Sequence, residues 1–354
     1  MTTTGDASGT PLPQDAQETP ATDRGADEGA DRRRRGPSLG GFGRDLGLVV
    51  ALAALLVLGV VTSGERFLSM SNLMVILQQA AIIGVISIGV TFVITSGGID
   101  LSVGSVMGLA TVWASTLATQ TMAEDSHWIV MVFTAVAVGA AAGTINGIIV
   151  AYGKVVSFIA TLAMLVAARG LAEIISNRRT QIVRVDDFLD TFRGSVLGIP
   201  VIVWIFVVVA AAGWFLLNRT TFGRRTVAIG GNPEAARLAG IKIRRHTVLV
   251  FALSGLTAGI AAVMMLARTT AGSSTNGYLW ELDAIAAVVV GGTLLMGGRG
   301  TIVGTVLGVL IFATLTNIFI QNNLSISVQA LAKGAIIVGA VLLQQRFAGR
   351  SRSS

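Results

Sequence analysis

Ten apolar stretches dominate this chain, near residues 46–63, 72–95, 101–121, 128–151, 155–176, 197–217, 247–267, 283–297, 302–320 and 326–344. Most approach the roughly 20 residues that an α-helix needs to cross the hydrocarbon of a bilayer. Hydrophobic residues make up 53% of the sequence and charged residues only 13%, which excludes an ordinary soluble domain. The expected fold is therefore an all-α membrane protein with about ten transmembrane helices embedded in a lipid bilayer. The 283–297 stretch is short and runs into Gly297-Gly298-Arg299-Gly300, so its helix is expected to be broken or tilted.

Charge orders the remainder. Residues 1–43 are rich in Thr, Gly, Asp, Pro and Arg and hold almost no large apolar side chain, so they are expected to form a disordered cytoplasmic tail. Arg32–Arg35 directly before the first span hold the N-terminus inside, and no cleavage signal follows that span. The membrane domain is then 44–346, with a cytoplasmic loop at 218–246 and a short basic tail at 347–354 that leaves the C-terminus cytoplasmic too. Lys154, the basic residues between Arg219 and Arg245, and Arg299 fall on the same side, whereas Glu124 and Asp125 fall outside. The loop 177–196, expected outside, is close to neutral. Cysteine is absent and there are two histidines, so neither a disulfide framework nor a zinc site is available, and no metal is expected. The high basicity is accounted for by loops beside spans, and no nucleic-acid partner is expected.

The longest polar island between spans is Gly230-Gly231-Asn232-Pro233-Glu234-Ala235-Ala236-Arg237-Leu238-Ala239-Gly240-Ile241. It reads as a short helix. Asn232 suits the N-cap, Pro233 the first helical position, and Glu234 complements the positive end of the helix dipole. Gly240 stops the helix after about two turns. Alanines at 235, 236 and 239 leave little bulk, so a partner could approach closely. The pattern G-G-N-x-x-A-A-x-x-x-G-I resembles the coupling segment of ATP-binding-cassette (ABC) sugar-importer permeases. That resemblance implies a docking place for an ATPase subunit, carried here by Gly230, Gly231, Asn232, Glu234, Ala235, Ala236, Gly240 and Ile241.

A second motif, Thr95-Ser96-Gly97-Gly98-Ile99-Asp100-Leu101-Ser102-Val103-Gly104, joins two spans with hardly any room for a solvated loop. Asp100 therefore lies near or within the membrane, where a carboxylate needs a partner or water. It either caps the next helix through the amides near Val103 or belongs to a pathway, and the two roles are compatible. G-I-D-L-S-V-G resembles the signature of the ribose-type permeases. Ser157-Phe158-Ile159-Ala160-Thr161-Leu162 with Arg169-Gly170-Leu171 is similar to that family's fifth span, although Val156 stands where a proline is expected. Gly277-Tyr278 and Glu281-Leu282-Asp283-Ala284-Ile285-Ala286-Ala287-Val288-Val289, running into Gly291-Gly292-Thr293, extend the likeness, with Leu279 and Trp280 inserted. The resemblance covers about residues 46–345. A weak repeat offset by 200 residues matches Gly97-Gly98 with Gly297-Gly298 and Val103-Gly104 with Val303-Gly304.

Arg169 and Lys333 are charges inside expected spans, each in need of a partner or an aqueous cavity. Snorkelling would serve Arg169, and an ion pair with Asp283 or Asp100 would serve Lys333. Asn146, within Gly143-Thr144-Ile145-Asn146-Gly147, suits close helix packing with an interhelical hydrogen bond. Asp100, Ser102, Asn146, Arg169, Glu281, Asp283 and Lys333 are the candidates for a translocation pathway. No phosphate-binding G-x-x-x-x-G-K-[ST] loop, H-E-x-x-H pair or G-x-S-x-G elbow occurs, so no catalytic residue is assigned. The resemblance implies a bacterial inner-membrane permease, working as a homodimer, that binds no cofactor itself. A separate ATPase using ATP and Mg, and an extracytoplasmic sugar-binding protein, complete the expected assembly. Ribose is the first expectation, with xylose, other pentoses, hexoses or polyols open. The rival is an ion- or proton-coupled secondary transporter with Asp100, Arg169 and Lys333 as relay.

Overall fold

The computed structural model describes residues 39–350 and is almost entirely helical. The chain runs through α1 (Leu39–Ser63), the single turn α2 (Glu65–Leu68), α3 (Met70–Thr95), α4 (Val103–Ala114), α5 (Leu117–Asp125), α6 (Ile129–Ala151) and α7 (Ser157–Ser176). It continues as α8 (Asp186–Arg193), α9 (Val201–Arg219), α10 (Thr221–Gly231), α11 (Pro233–Leu238), α12 (Ile243–Thr269), α13 (Trp280–Val290), α14 (Ile302–Gln321) and α15 (Ile326–Arg350). Each of the ten apolar stretches overlaps helix, in seven cases a single long one. Among the described residues, seven helices are long and apolar enough to cross a bilayer: α1, α3, α6, α7, α9, α12 and α14.

The other three stretches differ in instructive ways. The stretch 101–121 is not one span, because the helix stops at Ser115 and restarts at Leu117, with Thr116 capping the second piece. α4 has 12 residues, a rise of about 18 Å, which is short of the ~30 Å of hydrocarbon. α13 ends at Val290 and the chain is irregular to Thr301, which is the expected break. α15 begins at Ile326, and its last residues stretch into the expected C-terminal tail. The expected N-terminal tail, residues 1–43, lies outside the described residues, as do Arg32–Arg35, except that residues 39–43 belong to α1. A helix once nucleated extends at little cost, so the apolar span carries its helix back through them.

α3 and α12 form the centre. α3 is buried on every side from Ala80 to Thr95, and most of α12 from Val250 to Ala267 is buried too, the condition of a helix ringed by others. α1, by contrast, presents Val49, Val50, Val57 and Val61 outward. α6 lies against α12 backbone to backbone: a side chain on Gly143 would strike the Phe251 carbonyl and the Gly255 backbone. Dispersion between close backbones holds such helices where lipid removes the hydrophobic drive. Four two-residue strands, β1 (Gln181–Ile182), β2 (Ser195–Val196), β3 (Ile199–Pro200) and β4 (Ala271–Gly272), form two antiparallel pairs. The β2–β3 hairpin turns on Leu197 and Gly198, both with positive φ. The β1–β4 pair ties the loop after α7 to the segment after α12, so the 271–279 stretch is held in place where it enters α13.

Candidate functional site

The break between α3 and α4 is organised by Asp100, which is buried. Its Oδ1 accepts from the Ser102 backbone N–H at 2.9 Å and the Ser102 hydroxyl at 2.6 Å, and its Oδ2 accepts from the Ser254 hydroxyl on α12 at 2.8 Å. The Asn146 side chain on α6 donates to the Ser102 oxygen at 2.9 Å. Ile99 is held by α7 on both sides, its N–H to the Ser157 hydroxyl at 3.1 Å and its carbonyl accepting from Thr161 at 3.2 Å. The two motifs G-I-D-L-S-V-G and S-F-I-A-T-L thus meet, and a carboxylate with three donors and no cation among the described residues anchors four helices. Of the expected bonds from amides near Val103, the one from the Ser102 N–H forms, but it does not make Asp100 the cap. Ser102, not Asp100, occupies the N-cap position, so the carboxylate lies two residues too early and its oxygens accept from Ser102 and Ser254.

Arg169 and Lys333 are served separately. The Arg169 guanidinium donates to the backbone carbonyls of Ser274 and, at 3.0 Å, Asn276, so it pins the 271–279 segment instead of snorkelling outward. Lys333 pairs with Asp283 across α15 and α13 at 2.9 Å, with both side chains under 20% exposed. Asp100 is not its partner. Glu281 is buried beside Gly104 at the start of α4, and its Oε2 has no hydrogen-bond partner. The seven pathway candidates therefore fall into an Asp100–Ser102–Asn146 group, an Asp283–Lys333 pair, and Arg169 and Glu281, which lie against the same face of α4 at Gly108 and Gly104. No two of Asp100, Arg169 and Lys333 share a partner.

The polar island folds as expected and then some. The Asn232 side chain accepts from the Ala235 N–H at 3.0 Å, and Pro233 opens α11. Arg237 holds Glu234 through two nitrogens on the exposed face, which keeps the Glu234 carboxyl below the usual carboxylate range. Gly240 closes the helix at φ +81°, while the Ile241 N–H returns to the Ala236 carbonyl at 3.1 Å. Ala235, Leu238 and Ala239 are exposed, but Ala236 is buried. The expectation of a uniform alanine surface is corrected at that residue: one side of so short a helix must rest on its own chain, and Ala236 is on that side.

Gly230 and Gly231 belong to α10, not to α11, and Gly230 has another neighbour. A Cβ on Gly230 would overlap the Thr95 carbonyl and stand 2.5 Å from the Gly298 nitrogen. Gly298 donates its N–H to that same Thr95 carbonyl at 2.9 Å. A Cβ on Gly297 would stand 2.9 Å from Gly97. The two glycine pairs offset by 200 residues are thus in contact with each other and with the end of α10. Backbone meets backbone at the point where the loop before α11 reaches the two broken helices.

Sequence reasoning missed Ser254, Ser274 and Asn276, which partner the motifs without belonging to any. It also missed a polar clasp in which Asn72 and Asn317 exchange side-chain hydrogen bonds of 3.1 and 2.8 Å and Gln321 adds a third, joining α3 to α14. Isolated amides inside apolar runs were the available signal.

With this geometry in hand, comparison with known proteins is specific. The family model described as "Branched-chain amino acid transport system / permease component" matches residues 72–343. The ribose import permease protein RbsC of Escherichia coli K12 is 39% identical over 302 residues, 84% of this chain and 93% of the relative. That of Bacillus subtilis is 40% identical over 316 residues, 89% and 93% of the two chains. The L-arabinose ABC transporter permease protein AraH of Azospirillum brasilense is 38% identical over 280 residues, 79% and 81%. No solved structure matches. Seven apolar helices of spanning length among the described residues agree with a multi-pass inner-membrane protein. The chain belongs to the branched-chain amino acid transport system / permease component family, on its ribose-type ABC permease branch.

Proposed function

We propose that this chain is the pathway-forming subunit of an importer for a monosaccharide, with ribose the first substrate. Ribose import permeases at about 40% identity across most of both chains carry this reading. A relative for L-arabinose at 38% makes that pentose the natural competitor. An importer permease of this class works with an ATPase and a substrate-binding protein. In this reading the ATPase is a separate subunit that binds ATP and Mg, while this chain binds no cofactor and catalyses nothing. It docks on α11, whose exposed face of Ala235, Leu238 and Ala239 is small and unobstructed. Two copies form the pathway, both termini face the cytoplasm, and the binding protein delivers sugar on the other side.

Within the pathway, Glu281 is the residue best suited to meet a hydroxyl. It is buried with one carboxylate oxygen unpartnered, and a sugar hydroxyl supplies the donor that oxygen lacks. Asp100, Ser102 and Asn146 hold the α3–α4 break, Arg169 holds the 271–279 segment, and Asp283–Lys333 fixes α13 to α15. The relay required of a lone proton-coupled transporter has no support in these separate attachments.

Proteoliposomes containing the chain, its ATPase and its binding protein test the reading. Labelled ribose should accumulate when ATP is supplied on the ATPase side, and excess L-arabinose should compete less well than unlabelled ribose. Arabinose displacing ribose at equal concentration would move the substrate, and accumulation without ATP would remove the class.

A further inference from the structure

The basic residues around α11 do more than flank it. A cleft of about 340 Å³ is lined by Thr221, Arg224, Arg225, Ala228 and the 239–241 turn. A second, of about 330 Å³, shares Arg225, Gly240 and Ile241 with the first and adds Lys242, Arg245, His246 and Leu249. Arg224, Arg225, Lys242 and Arg245 are exposed, no acidic side chain lines either cleft, and none of the four forms an ion pair among the described residues. The nearby acid, Glu234, is taken by Arg237. A hydrogen bond of 2.8 Å between Thr226 and His246 fastens α10 to α12, so the clefts have a fixed wall. Orienting a membrane protein needs cations on one side only. It does not require them to converge on two adjoining hollows.

The level of the clefts is marked independently. Arg219 lies over the Trp214 ring at 5.5 Å where α9 ends, and Arg244 over the Tyr152 ring at 5.8 Å where α6 ends. Amphipathic rings with cations are what settle at the boundary between hydrocarbon and headgroups. α10 starts two residues after α9 and carries Arg225, while Lys242 is the N-cap of α12 and Arg245 lies in its first turn. Leu249, farther along α12 and 55% exposed, carries the lining from that level toward the acyl chains.

We propose that these paired clefts bind the headgroup of an anionic phospholipid, with its phosphate among Arg225, Lys242 and Arg245 and the start of an acyl chain along Leu249. The chemistry recognised is a phosphate diester at the membrane surface, and its apolar continuation at Leu249 favours lipid over free phosphate or an acidic protein segment. Lipid bound there touches the turn that ends α11, so the composition of the leaflet bears directly on the loop that carries it. The inference stands apart from the identity of the sugar.

Native mass spectrometry of the purified full chain, exchanged into detergent with phosphatidylglycerol or phosphatidylcholine, tests it. Wild type should retain phosphatidylglycerol over phosphatidylcholine, and the combination Arg225→Gln, Lys242→Gln, Arg245→Gln should lose about tenfold of that retention. Arg178→Gln with Arg179→Gln, removing charge elsewhere, should lose none. Should the triple variant fold poorly, Lys242→Gln alone and a wild-type thermal shift by phosphatidylglycerol, absent with phosphatidylcholine, give the same reading. Equal retention by wild type and triple variant overturns the proposal, as does equal loss in the distant pair. Inorganic phosphate displacing the lipid at millimolar concentration assigns the cleft to free phosphate. Loss of ATPase co-purification by the triple variant, with its phosphatidylglycerol retention unchanged, assigns the cleft to the protein partner.

Discussion

Asp100 shows what a buried carboxylate does without a counter-ion. Three short hydrogen bonds from Ser102 and Ser254 replace the cation, and each comes from a different requirement of the chain: a turn, a helix start and a neighbouring helix. Replacing it by Leu leaves those donors unsatisfied inside the bundle, at about 1–3 kcal/mol for each buried group. Asn keeps one acceptor oxygen. Asp100→Leu is therefore expected to unfold at clearly lower temperature than Asp100→Asn, and to lose uptake more completely, in a thermal size-exclusion assay paired with transport. Equal melting of wild type and the Leu variant would remove Asp100 from its anchoring role.

α11 and α10 divide the work of the polar loop. Ala236 faces inward, so Ala236→Trp overpacks the chain itself and should destabilise by about 1–3 kcal/mol, seen as reduced expression before any effect on docking. Leu238 is 75% exposed, and Leu238→Glu should change stability by less than about 0.5 kcal/mol while releasing the ATPase on mild purification. Co-purification and melting of the two variants separate fold from docking. Gly230 sits elsewhere in the argument. Because its backbone touches Thr95 and Gly298, Gly230→Ala forces apart the contact between α10 and the two helix breaks. The ATPase should still bind, but hydrolysis should proceed with uptake reduced at least tenfold; tight coupling in that variant would show that α10 does not transmit movement through this contact.

At the scale of the molecule, the apolar stretches foretold every major helix because lipid leaves little choice about burial. What they could not foretell was continuity. Ser115 and Thr116 break the 101–121 stretch by hydrogen bonding to nearby groups, an interaction too local to alter hydropathy. The island's cap, first turn and stop were readable from Asn232, Pro233 and Gly240, since capping chemistry is set within a few residues. Which alanine faced inward was not, because it depends on α10 and α12. Asp283 as the partner of Lys333 was one of two named options, whereas Ser254, Ser274 and Asn276 were invisible: partners far along the chain are chosen by packing, and a single serine in an apolar span carries no mark of it. The glycine pairs at 97–98 and 297–298 stood out as a repeat, and their contact is the physical content of that repeat.

The chain contains no cysteine, so one introduced thiol reports without background. Leu238→Cys places it on the exposed face of α11, where the account puts the ATPase. Labelling by a membrane-impermeant maleimide, applied to inside-out vesicles with and without the assembled ATPase, is the direct test. The account predicts labelling slowed at least tenfold by the ATPase and restored when the ATPase is stripped away. Labelling at the same rate in both preparations would contradict it.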